Sequence, residues 1–197
     1  MAIPKSEVVD YWARRSEAQG ARTVGFNNTP LEDQDRRYKK RHDFIFPFLD
    51  PKKTTLDYGC GIGRYTHFFE KSNYIGADIT TKLLDIARSS YPNYNFLKIE
   101  NVGDVPDLSF DVFFTATVLQ HNADETVRLI FKNLQKIKNT NIQFVLYEND
   151  QTECSHVQRR TPHEYLDMVS DFFKVTNFEC DSHVIHGEKH SLAKIDT

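Results

Sequence analysis

The 197-residue chain has three cysteines, Cys60, Cys154 and Cys180, and no two of them stand at a paired spacing. That excludes a disulfide framework and a cysteine zinc site. It fits a reducing, cytoplasmic setting. No run of eighteen apolar residues is present, so a membrane-spanning helix is not expected. The opening Met1-Ala2-Ile3-Pro4-Lys5-Ser6 is too polar for a signal peptide. There is no basic excess either. The net charge is −3, which gives no global attraction to nucleic acid or to an anionic membrane. Internal repeats and low-complexity tracts are missing. Glycine is scarce, eight residues in all, yet three of them fall at alternate positions in one stretch.

That stretch is Leu56-Asp57-Tyr58-Gly59-Cys60-Gly61-Ile62-Gly63-Arg64-Tyr65-Thr66. The apolar approach, residues 54–58, reads as a buried strand. The aromatic run at 64–70 reads as a helix. Glycine lets the backbone turn sharply and lie against a ligand. A helix starting there would aim unpaired N–H groups at the same spot. The pattern predicts a strand–glycine turn–helix ligand cradle. A dinucleotide site would place the third glycine at position 64, where this chain has Arg64. No Gly-Lys-Ser/Thr ending follows, so it is not a P-loop. A second acid, Asp78, closes the next apolar run, Tyr74-Ile75-Gly76-Ala77-Asp78. A carboxylate at the tip of a second strand can accept from two ribose hydroxyls.

Asp-x-Gly-x-Gly-x-Gly followed by such an acid resembles motif I of the class I S-adenosylmethionine (SAM)-dependent methyltransferases. The resemblance implies a Rossmann-like, doubly wound, seven-stranded, mostly parallel α/β sheet with an antiparallel last strand. It implies SAM as cofactor and S-adenosylhomocysteine as product.

The rest of the chain alternates in a compatible way. After 54–57, a helix is expected to end near Lys71. Strands are expected at 74–78, 95–99, 110–117 and 142–147. A helix capped by Thr80 buries Leu83, Leu84 and Ala87. Another begins at Asn122, with Glu125 in the capping-box position, and buries Val127, Ile130, Phe131, Leu134 and Ile137. This alternation argues for a parallel sheet with helices on both sides. Residues 149–160 read as a polar loop. Thr161-Pro162-His163-Glu164 is a helix start, followed by an apolar stripe of Tyr165, Leu166, Val169, Phe172 and Phe173. Two closing strands, at 174–180 and about 183–195, resemble strands six and seven of the methyltransferase fold.

Residues 1–53 precede the first strand and are read as a helical extension or lid over a SAM-binding domain at 54–197. Ser6 can cap a first helix with Val8, Tyr11, Trp12 and Arg15 on one side. Gly20 and Gly25 break it. Thr29-Pro30-Leu31-Glu32 opens a second helix running to about Leu49, with Tyr38, His42, Ile45, Phe46 and Leu49 buried and Pro47 distorting the end. The aromatics Tyr11, Trp12, Phe26 and Tyr38 either cover a ligand or pack the helices down. The basic cluster of Arg36, Arg37, Lys39, Lys40 and Arg41 is either a solvated face or a source of inward contacts, with Tyr38 or Arg41 meeting the SAM carboxylate or an anionic substrate.

Ligands of open α/β sheets sit beyond the carboxyl ends of the strands. The cofactor candidates are therefore Asp57, Gly59, Gly61, Gly63, Arg64 and Tyr38 near the amino-acid end of SAM. Asp78 serves the ribose and Ile79 the adenine. The resemblance implies an acceptor for the adenine amino group after strand three, a role open to Glu100 or Asn101, beside Val102. The run Phe110-Asp111-Val112-Phe113-Phe114-Thr115-Ala116-Thr117-Val118-Leu119-Gln120-His121 is similar to the segment after strand four in small UbiE-like enzymes. That likeness sets Thr115 and Thr117 near the SAM amino-acid moiety, and Gln120 and His121 on the substrate side. No Asp/Asn-Pro-Pro-Tyr and no Pro-Cys dipeptide occurs, as amino-directed and cytosine-C5 nucleic-acid enzymes require. For a hydroxyl acceptor, His121 is the first candidate base and Glu148 the second; His156 and His163 are weaker. The alternative for His121 is a histidine hydrogen-bonded near a helix start. His183 and His186 would point to opposite faces of a strand, so no metal is expected.

The expected function is methyl transfer from SAM to an oxygen or nitrogen of a small or medium-sized acceptor, by a monomer or homodimer. Two alternatives stay open. One is an RNA or nucleotide acceptor, for which the 36–41 cluster and Arg159-Arg160 speak. The other is a SAM-binding protein that does not methylate.

Overall fold

The structure is a computed structural model that describes residues 5–19, 31–137, 141–150, 157–185 and 188–197. Gly20, Gly25, Phe26, the Thr29-Pro30 start, Cys154, His156 and His186 lie outside the described residues. Among the described residues no helix is long and apolar enough to cross a membrane.

Seven strands form one sheet. They are β1 (Thr55–Tyr58), β2 (Tyr74–Asp78), β3 (Asn95–Lys98), β4 (Val112–Ala116), β5 (Gln143–Asn149), β6 (Asn177–Ile185) and β7 (Glu188–Asp196). Their order is β3-β2-β1-β4-β5-β7-β6. The first five pair in parallel, and β7 runs antiparallel to both β5 and β6. The central strands are apolar on both faces, as parallel strands covered by helices must be. Alternation then divides neighbours between two cores. Phe113, Phe144 and Leu146 face one layer; Phe114, Val145 and Tyr147 face the other. Each such buried side chain contributes roughly 1.5–3 kcal/mol.

The described helices are α1 (Lys5–Gln19), α2 (Leu31–Ile45), α3 (Thr81–Ser90), α4 (Asp124–Leu134) and α5 (Pro162–Ser170). Leu83, Leu84 and Ala87 of α3 are buried as expected. Thr161 closes a capping box with Glu164 at the start of α5.

Four expectations need correction. No α-helix follows the glycine turn. Short 3-10 turns occupy Thr66–Phe68 and Lys71–Asn73 instead, while Tyr65, Thr66 and Phe69 go into the core. So short an aromatic stretch gains little from helix nucleation and more from burying its rings against Tyr74 and Phe114. Ser6 lies inside α1, which begins at Lys5. Helix α4 is capped at Ala123, not Asn122, because Asn122 is buried and turns its amide to the Val118 carbonyl. The buried stripe of α2 is Tyr38, Arg41 and Ile45; Phe46 is exposed. Helical spacing sets 38, 41 and 45 on one face, and Pro47 converts the continuation into a 3-10 turn at Phe46–Phe48.

Candidate active site

A cavity of about 380 Å³ opens beyond the carboxyl ends of β1, β2, β4 and β5, with Val8, Trp12 and Arg15 of α1 and Tyr38 and Arg41 of α2 in its wall. Strand order fixes its two ends. One lies over β1 and β2, the other over β4, β5 and β7.

Glycine geometry builds the first end. Gly59 has φ +78°, and a Cβ there would sit 2.5 Å from Val118 Cγ2. Its N–H donates to the Ala77 carbonyl at 2.7 Å, so the turn folds back onto the end of β2. Gly61, at φ +55°, donates its N–H to Asp78 Oδ2 at 2.9 Å. Asp78 Oδ1 accepts from the Thr80 N–H at 2.8 Å. The carboxylate is 7% exposed and lines the cavity at the tip of β2. Burial pushes Asp78 above the usual carboxylate range, and the Thr80 and Gly61 donors pull it back. Asp57 is buried beneath the turn and accepts the Tyr74 hydroxyl at 2.7 Å. Burial raises it to about 7, with the Asp78 charge adding and the Tyr74 bond subtracting.

Arg64 lies with its guanidinium carbon 3.7 Å from the centroid of the Tyr38 ring, and both line the cavity. Ile79, Leu83, Ile99 and Val102 give this end an apolar wall.

The second end is made of side chains from distant segments. Glu148 is the hub that shapes it. This carboxylate is 2% exposed. It accepts the Thr115 hydroxyl at 2.9 Å and the N–H groups of Val118, Leu119 and Gln120 at 3.2, 3.0 and 3.2 Å. Burial pushes it up to about 7 against the pull of those donors. Arg160, 3% exposed, clamps the same turn from outside through the Leu119 and Asn122 carbonyls and Asp124. The clamped turn presents Thr117, Gln120, His121 and Asn122 to the cavity. Thr117 sits at φ 59°, an outlier for a β-branched residue and a form of strain that clusters at functional sites. His121 packs edge-on against Trp12 with centroids 5.1 Å apart. Asn149, Glu188 and His190 complete this end.

Several sequence candidates lie elsewhere. Gly63 is off the cavity wall; its φ of +77° and a Cβ position 2.8 Å from Thr66 Oγ1 make it a packing glycine. Glu100 pairs with Lys98 in solvent and Asn101 with Asp104, so neither lines the cavity. Thr115 and Glu148 face each other beneath the turn instead of facing a ligand. Glu148 therefore positions the turn, and its oxygens already hold four donors. The missed residues are Asn122, Asn149, Glu188 and His190. Only tertiary contact places them, and no spacing signals them.

The glycine turn, the acid at the β2 tip and the strand order form one signature. A family model described as "Methyltransferase domain" matches residues 56–141. Residues 56–141 are thus similar to a methyltransferase domain. The fold extends well beyond the matched residues. Magnesium protoporphyrin IX methyltransferase (ChlM) from Synechocystis PCC 6803, solved with S-adenosylhomocysteine, superposes with a TM-score of 0.75 at 15% identity, over 98% of this chain and 100% of that one. The N-methyltransferase NodS from Bradyrhizobium japonicum WM9 gives 0.72 at 15% identity, over 94% and 97%. Phosphoethanolamine N-methyltransferase 1 of Haemonchus contortus gives 0.70 at 15% identity, over 98% of this chain and 50% of that one. The first end of the cavity fits SAM on its own geometry. Gly59 and Gly61 bring the backbone of the turn to the cavity wall, and Asp78 presents its carboxylate at the tip of β2.

Proposed function

We propose that this methyltransferase acts on an oxygen or nitrogen of a small acceptor. The observation that carries the reading is the shape of the cavity. One continuous cavity joins the glycine turn and Asp78 to a polar end walled by α1 and α2. The turn, Asp57, Asp78, Ile79, Val102, Arg64 and Tyr38 would hold the cofactor. When bound, SAM supplies a methyl carbon already activated by its sulfonium, which departs as a neutral thioether. The chain's work is alignment and exclusion of water. The Glu148-pinned turn fixes Gln120, His121 and Asn122, and Trp12 covers His121. His121 takes the proton that the acceptor O–H or N–H gives up as it bonds to the methyl carbon.

Support for an RNA acceptor falls, because Arg160 is buried in the clamp of the β4 turn and Lys39 is paired with Asp43 on its own helix. Titration with SAM and S-adenosylhomocysteine, with NAD as control, tests the cofactor end. Transfer of labelled methyl to an acceptor panel tests catalysis; binding without transfer to any acceptor would favour the non-methylating alternative. His121→Ala should lower turnover far more than SAM affinity. Unchanged turnover across pH 6–9 (roughly the span around an ordinary histidine pKa) would remove His121 as the base.

A further inference from the structure

This inference rests on the methyltransferase reading and concerns what the acceptor carries. Three guanidinium groups line the cavity, those of Arg15, Arg41 and Arg64. Arg64 belongs to the glycine turn and lies on Tyr38. Arg41 leaves α2 and reaches the other flank of the sheet. It is 6% exposed, its guanidinium carbon is 5.8 Å from the Tyr147 ring centroid, and Nη2 is 3.4 Å from His190 Nε2. In the strand order, β5 and β7 stand beyond β4, on the side away from β2 and Asp78.

His190 tells what surrounds Arg41. A guanidinium only donates, so His190 Nε2 accepts and the ring proton lies on Nδ1. The ring is stacked on Tyr147 with planes 6° apart and is 2% exposed. Burial, then the Arg41 charge, holds His190 down at about 3. It is therefore a neutral positioning residue that aims the guanidinium. Glu188 also lines this end. Its Oε2 is 3.6 Å from His190 Nε2 and its side chain is 43% exposed. One buried cation beside a half-exposed carboxylate suits a singly charged ligand; a phosphate dianion would meet Glu188. A planar carboxylate also matches the fork of a guanidinium.

The β4 turn adds the complement. Asn122 lines the same cavity and is 5% exposed. Its Nδ2 donates to the Val118 carbonyl at 2.9 Å, and its Oδ1 is buried with no hydrogen-bond partner. An unmet buried acceptor costs about 1–3 kcal/mol, which a ligand O–H or N–H would recover.

We infer that the acceptor is a small monocarboxylic acid, its carboxylate held by Arg41 and its methyl-accepting O–H or N–H held by Asn122 Oδ1 beside His121. Arg64 and Tyr38 are left to the carboxylate of the cofactor.

The test begins by titrating the full chain with S-adenosylhomocysteine. The saturated complex is then titrated with benzoate and acetate, with benzamide and acetamide, and with inorganic phosphate. The carboxylates should bind about tenfold more tightly than the amides, the scale of a charged bidentate contact. Arg41→Met should erase that difference and leave S-adenosylhomocysteine affinity nearly unchanged; Arg64→Met should do the reverse. His190→Phe, which removes the acceptor that aims Arg41, should weaken benzoate and spare benzamide, and it decides the matter if Arg41→Met does not fold. Equal binding of acids and amides overturns the proposal. So does phosphate binding tighter than benzoate, or loss of S-adenosylhomocysteine affinity in Arg41→Met. No binding of S-adenosylhomocysteine to the unaltered chain would instead overturn the cofactor assignment.

Discussion

The two ends of the cavity are built by different means. Over β1 and β2 a backbone turn sets the shape: glycines at positive φ, N–H groups turned onto the Ala77 carbonyl and Asp78, and strands four or five residues long. Over β4, β5 and β7 side chains set it: Arg41, His121, Asn122, Asn149 and His190, from segments as much as 149 residues apart. Backbone geometry suits a ligand that never changes. Side chains can be exchanged singly without undoing the fold, which suits the half that decides the acceptor. Glu148 is the joint between them. It belongs to β5 yet fixes the turn after β4, so a mutation there should disturb the second end while leaving the first intact.

The largest expected effect breaks the first end. Gly59→Ala puts a Cβ into Val118, whose N–H is held by Glu148 and which therefore cannot yield easily. The left-handed backbone adds about 1–2 kcal/mol for any L side chain. SAM affinity should fall beyond detection by titration. Gly63→Ala sharpens the contrast. Its φ is equally positive, but its Cβ would meet Thr66 and Phe96 behind the cavity. It should lower the melting temperature while the folded fraction still binds SAM. Next comes Asp78→Ala, which loses a ligand acceptor and two turn contacts. SAM should bind 10- to 100-fold more weakly, roughly 1–3 kcal/mol; an unchanged affinity in a folded variant would remove Asp78 from the ribose.

The features legible in the sequence are the local ones. The glycine spacing, the Asp78 tip, the α3 core residues and the Thr161 capping box each follow from a few adjacent positions. The 64–70 helix was misread because a ring-burying segment has the same apolar spacing whether or not it is helical. Glu148 was read as a base because a carboxylate at a strand tip looks identical in sequence whether it faces ligand or backbone. Arg41 could be named only as one of five basic residues. Its pairing with His190 is created by β7 lying against β5, which no local pattern records.

His190 separates the ends by pH. Its depressed pKa means that the fold keeps it neutral while the unfolded chain protonates near the ordinary 6.5. Its contribution to stability is whole above that value and is lost as pH falls toward about 3. His190→Gln removes the loss. Between pH 7 and 5 the variant should gain about 2 kcal/mol relative to the parent, one pKa unit being worth about 1.4 kcal/mol. Denaturant titrations at the two pH values measure it. A constant difference between the two proteins would mean that His190 takes up its proton in the fold as it does in the unfolded chain, and that Arg41 is not seated against it.

The smallest effect concerns the roof. Helix α1 reaches the body through Val8 against Val102 and through Trp12 against His121. It also has an ion pair, Glu17 to Lys82 on α3, at 2.7 Å with side chains 70% and 38% exposed. Exposed pairs of this kind contribute about 0–1 kcal/mol, whereas a buried valine contact excludes water whatever the salt. Lys82→Ala should therefore change stability by less than about 0.5 kcal/mol and leave turnover alone. Trp12→Ala should raise the acceptor KM several-fold by uncovering His121. If Lys82→Ala moves that KM as much as Trp12→Ala does, α1 is seated by its charge and not by its apolar face, and turnover should then fall with added salt in the parent enzyme as well.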